Sequence, residues 1–109
     1  MKKVKIATEK SSGNVFADLG IPNAEVHLLK ADLAVAILQA IKQKKLTQQK
    51  AAELLGCDQP EISKLKNGEF SRFRVERLFD FLNRLGRNVD IQVTKTTSKN
   101  PRQRVLLAA

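Results

Sequence analysis

Residues 46–68, LTQQKAAELLGCDQPEISKLKNG, read as two short helices joined by a tight turn. Thr47 is placed to cap the first, its hydroxyl accepting an orphan backbone N–H at the start of Gln48 to Leu55. Gly56 ends that helix where a left-handed or closely packed residue is wanted, and Asp58 offers a second cap for Gln59 to Lys66. Ala52, Gly56 and Ile62 form the joint: a small residue at the crossing, a glycine in the turn and a β-branched plug between them. Leu55 and Leu65 complete the buried side, which leaves Gln59, Pro60, Ser63 and Lys64 outside. This is the layout of a helix-turn-helix that presents its second helix to DNA. A plain helical hairpin would also show caps, glycine and an apolar stripe, but it has no need of Gln at both helix starts.

The composition agrees with an anionic partner. The chain has 109 residues, enough for one domain, with 20 Lys and Arg against 11 Asp and Glu and a formal charge of +9. Nucleic acid, an acidic protein and a membrane surface all fit charge alone. No apolar run approaches the ~20 residues of a membrane span. MKKVKIATEK lacks the apolar region of a signal peptide, which predicts a cytoplasmic protein. A single cysteine, Cys57, excludes a disulfide framework and a multi-cysteine zinc site, and neither metal nor cofactor is expected.

The flanks supply the rest of the domain. Residues 1–22 read as an N-terminal arm, with Val4 and Ile6 alternating with lysines, a Ser11–Asn14 loop, and the apolar set Val15, Phe16, Leu19 and Ile21. Asn23 is a helix cap, and Val26, Leu29, Leu33, Ala36, Ile37, Ala40 and Ile41 recur at helical spacing from Ala24 to Lys44. That helix would be about 30 Å long, more than a minimal helix-turn-helix requires. His27, beside this face, has no second ligand or nucleophile and reads as a surface or packing residue. After Asn67 and Gly68 comes a loop with Phe70 and Phe73 as core plugs. A last helix follows on Val75, Leu78, Phe79, Leu82 and Leu85, closed by Gly86, with Arg72 and Arg74 at its entry near a passing DNA backbone.

Val89, Ile91 and Val93 alternate with polar residues, the pattern of a half-buried strand. One strand cannot satisfy its own backbone, so it pairs either with Val4–Ile6 or with its twin in a second chain. The twin is preferred, because a two-fold dimer sets two recognition helices ~34 Å apart. Residues 23–94 thus form the DNA-binding domain, and 95–109, with Lys95, Lys99, Arg102 and Arg104 and no acid, a flexible basic tail.

With these residues in place, LTQQKAAELLGCDQPEISKLKNG resembles the Xre/Cro/phage-repressor family. SSGNVFADLG, the long helix and RLFDFLNRLGRNVDIQV resemble its HigA-type antitoxin branch, over residues 11–94. The resemblance implies a mainly α, lambda-repressor-like fold of four to five helices, with the C-terminal strand used in dimerisation. It places a phosphate-bracing glutamine at Gln48, beside Thr47, and an adenine-reading glutamine at Gln59. Pro60, Glu61, Ser63 and Lys64 take the other outward positions, and Asn67 matches a backbone-contacting residue. Pro60 fits the first helical turn but cannot hydrogen-bond a base; Glu61 either accepts from cytosine N4 or repels phosphate. Relatives often carry Ser where Arg74 stands, so the last helix needs another cap, with Ser71 the candidate, and Arg74 is free to meet phosphate.

By the same resemblance, the partners are operator double-stranded DNA, a second copy, and a small protein toxin of the HigB/RelE class, an mRNA endonuclease. Val15, Phe16, Leu19 and Ile21 are the candidate toxin surface. The runner-up is a stand-alone Xre-type regulator. An RNA-binding adaptor fits the charge but lacks stacking aromatics, there being no Tyr or Trp. Without a phosphate loop, metal cluster or activated nucleophile, the chain is not read as an enzyme.

Overall fold

The computed structural model describes residues 3–5, 24–97, 99 and 102–108. Four helices form the body: α1 (Ala24–Gln43), α2 (Gln48–Leu55), α3 (Gln59–Lys66) and α4 (Val75–Arg84). Strand β1 (Lys3–Lys5) pairs antiparallel with β2 (Leu106–Ala108), with Lys3 opposite Ala108 and Lys5 opposite Leu106.

Helix α1 is the central post, packed on α4 and α3, while α2 packs on α3 and α4. Its expected stripe is buried at Leu33, Ala36, Ile37, Ala40 and Ile41, but Val26 is exposed. The row Leu28, Asp32, Ala36, spaced by four, is buried as well, so α1 hides a broader arc than one amphipathic face. The expected cap Asn23 lies outside the described residues.

The turns follow local chemistry. Thr47 Oγ1 accepts from the Lys50 N–H at 3.1 Å, and Asp58 Oδ1 from the Glu61 N–H at 2.9 Å. Gly56 stands at φ 70° and closes α2: its N–H donates to Glu53 O, and the Cys57 N–H to Ala52 O at 3.0 Å. Arg84 lies over this turn, its Nη1 3.1 Å from where a Cβ on Gly56 would stand, and pairs with Asp80 at 2.9 Å.

Ala51, Ala52, Leu55, Ile62, Leu65, Phe73, Leu78, Phe81, Leu82 and Leu85 join α1 in one core. Phe81, absent from the sequence-derived stripe of α4, is among its largest fully buried side chains, whereas Phe70, Val75 and Phe79 are only half-buried. Phe81 lies three residues after Leu78 and four before Leu85, so it completes the same buried row.

Two C-terminal expectations need correction. Residues 87–97 form neither helix nor strand in the single chain, so the strand expected at Val89, Ile91 and Val93 does not pair with Val4; Leu107 does. Val89 packs against the core while Ile91 and Val93 stand exposed. The tail, expected to be flexible and basic, ends in β2, with Val105 and Leu107 against the core. Val105 and Leu107 gain from burial what the exposed Arg102 and Arg104 before them cannot.

Candidate nucleic-acid interface

Helix α3 exposes its first residues. Gln59 and Pro60 are exposed, Pro60 sits in the first turn where no intrahelical N–H is lost, and Asp58 caps the end. Ile62 and Leu65 anchor the opposite face in the core, so the outward residues are carried on a buried, fixed backbone. Ser63 and Lys64 are half-buried. Ser63 Oγ donates to Gln48 Oε1 at 3.5 Å, a long contact between the start of α2 and the middle of α3.

Other polar sites stand on the flanking elements. Thr47 is exposed as it caps α2, and Asn67 is the exposed cap residue at the end of α3. Arg72 and Arg74 are exposed in the segment leading into α4. A shallow notch of about 310 Å³ joins that segment to α3, lined by Pro60, Glu61, Lys64, Arg72, Phe73 and Arg77. Helix α3 and Arg72 are thus neighbours in space. Arg74 makes no side-chain capping bond and Ser71 does not supply one; instead the Ser71 carbonyl accepts from Lys30 Nζ at 3.3 Å.

Glu61 is the exception among the outward residues. Its carboxylate is paired with Arg77 of α4, which sequence reasoning did not single out. The signal for part of that arrangement was present: Arg77 is four residues before Phe81 within α4, which puts the two on one helical row. The contact to Glu61 is tertiary and had no local signal.

Cys57 is half-buried in the turn between the motif helices. Burial, then the nearby Glu61 carboxylate, push its thiol above the ordinary range, outweighing the opposite pull of Arg77. It is therefore a packed thiol near neutral pH, not an activated one. Among the described residues no group of three or more His, Cys, Asp or Glu side chains is arranged to hold a metal ion, and no helix is long and apolar enough to cross a membrane. Val15, Phe16, Leu19 and Ile21 lie outside the described residues.

Comparison with known proteins agrees with this geometry. A family model described as a helix-turn-helix domain matches residues 15–94. A solved structure named "Putative XRE Family Transcriptional Regulator" is similar at 36% identity and a TM-score of 0.69, covering 81% of this chain and 99% of that one. No curated protein matches the chain. A capped, exposed second helix on a buried joint, in a chain of this charge, is what that family uses to meet DNA, and the chain belongs to it: a DNA-binding transcriptional regulator of the Xre-type helix-turn-helix family.

Proposed function

We propose that the protein is a dimeric, sequence-specific repressor that lays α3 in the major groove, and that it is the antitoxin of a type II pair. In this reading it neutralises a HigB/RelE-like mRNA endonuclease and represses the operon that encodes both. The observation that carries the DNA half is the exposed, Asp58-capped start of α3 with Gln59 at its tip and Arg72 across the notch beside it. Gln59 offers an amide to adenine N6 and N7, while Thr47, Gln48, Asn67, Arg72 and Arg74 supply phosphate contacts that fix register. Exposed Ile91 and Val93 support a second copy as the missing cover for residues 88–94.

The antitoxin half is supported by the resemblance of the flanking segments. A basic toxin would have to be met through apolar contacts, for which Val15, Phe16, Leu19 and Ile21 are the candidates. A stand-alone regulator is the second reading, favoured by a relative whose name speaks of transcriptional regulation alone.

The deciding experiment is expression of the tagged chain from its natural genomic segment with both neighbouring genes, followed by mass measurement of the purified complex. A stoichiometric small-protein partner that is lost on deleting residues 1–22 is the expected result. A homodimer without partner, with both neighbours shown to be expressed, would leave the stand-alone regulator.

A further inference from the structure

Glu61 lies in the first turn of α3, yet both ends of the residue are tied back into the protein. Its backbone N–H donates to Asp58 Oδ1 at 2.9 Å, and its carboxylate Oε2 receives Arg77 Nη1 at 2.5 Å. The same guanidinium carbon lies 5.6 Å from the Phe73 ring centroid and 5.2 Å from that of Phe81. Those two rings are buried and meet edge to face with centroids 6.3 Å apart, so Arg77 rests on a rigid floor. A planar guanidinium can lie against aromatic faces while directing its N–H groups at a carboxylate; an ammonium cannot reproduce that pair of contacts.

We propose that Arg77 is a positioning residue for operator recognition. It withdraws the Glu61 carboxylate from the groove-facing surface and pins the first turn of α3 to α4, leaving base readout to Gln59 and its polar neighbours. The proposal rests on the reading that α3 enters the major groove. Two physical effects act together. A carboxylate left without its partner at this surface would face DNA phosphates and repel them. An α3 released from α4 would present Gln59 with less defined geometry, and bidentate base contacts tolerate little displacement. Glu61 is therefore a fastening of the recognition helix, not a reader of cytosine.

The test uses the full chain and duplexes selected by the wild-type protein from a randomised library. Glu61→Gln, Arg77→Met, Arg77→Lys and the Glu61→Gln/Arg77→Met double variant are compared for affinity, base preference and salt dependence, with circular dichroism to establish that each is folded. Arg77→Met and Arg77→Lys are expected to weaken binding about tenfold, and the double variant to recover at least half of that loss on a logarithmic scale. Glu61→Gln is expected to keep the wild-type base preferences, and the double variant the wild-type salt slope. A relaxed cytosine preference in Glu61→Gln would make Glu61 a base reader and overturn the proposal. So would a slope reduced by about one unit in the double variant, which would make Arg77 a phosphate contact. A double variant as weak as Arg77→Met alone would also overturn it. Unchanged binding by Gln59→Ala is a separate outcome: it would remove the groove reading of α3 itself, whatever the Arg77 variants do.

Discussion

Arg74 carries two opposed demands at one position. It is the N-cap residue of α4, with φ −77° and ψ 149°, but its side chain makes no capping bond and its charge sits at the positive end of the helix dipole. Arg74→Ser supplies the missing acceptor and is expected to raise stability by ~0.5–1 kcal/mol, read as a rise in thermal midpoint. The same change removes a cation proposed to meet the DNA backbone, so binding should weaken on all sequences alike, with the salt slope reduced by about one unit. Higher stability with an unchanged slope would take Arg74 off the phosphate backbone. Cys57 gives a prediction of another kind. Its folded-state thiol holds its proton more tightly than in the unfolded chain, so its contribution is fully present at neutral pH and is lost as pH rises through the unfolded value of ~8.5 toward the raised folded one. Chemical denaturation between neutral and alkaline pH should show this decline in the wild type and a flatter profile in Cys57→Ser.

At the scale of elements, the helix ends show how local chemistry and tertiary packing divide the work. Helix α2 stops at Gly56 with a glycine in the left-handed region, whereas α1 stops with the same hydrogen-bond pattern built on Lys45 at φ 55°. There the Lys45 N–H donates to Lys42 O and the Leu46 N–H to Ile41 O. A side chain in that conformation is strained, and Lys45→Gly is expected to stabilise the protein by ~0.5–1 kcal/mol, measurable as a shifted denaturation midpoint at unchanged slope. No change would mean that Lys45 gains contacts that offset its backbone strain. The helices, the caps Thr47 and Asp58 and the stop at Gly56 were legible in the sequence because each depends on neighbours within four residues. Where side chains met across elements the reading was partial: Ala52, Leu55, Ile62, Leu65 and Phe73 are buried as expected, but others were missed. Phe81, Asp32 and Leu28 are buried by what packs over them, and Arg77 meets Glu61 across sixteen positions of chain. The strand that pairs with β1 was missed for the same reason: Leu106–Ala108 is a short apolar run without alternation, and nothing local says which segment lies beside it.

For the whole molecule, residues 88–94, which form no strand in the single chain, bear on how one chain becomes a specific DNA reader. The protein measures 43 × 34 × 22 Å, so one copy spans about one half-site, and recognition of a longer operator requires a second copy held in fixed relation to the first. Ile91 and Val93, 72% and 91% exposed, are the most exposed large apolar side chains among the described residues, and they alternate with Asp90, Gln92 and Thr94 as one edge of an intermolecular ribbon would. Burying them between two copies costs the single chain nothing, since neither supports its core. Replacing both with aspartate should therefore leave the thermal midpoint of the isolated chain near its wild-type value while sedimentation reports a monomer. Binding to a single half-site should persist, and the advantage of a two-half-site duplex, on the order of 10²-fold or more for linked sites, should disappear. If the double-aspartate variant sediments as a dimer at the same concentration as the wild type, the two-fold contact lies on another face, and residues 88–94 lose their place in the account of DNA recognition.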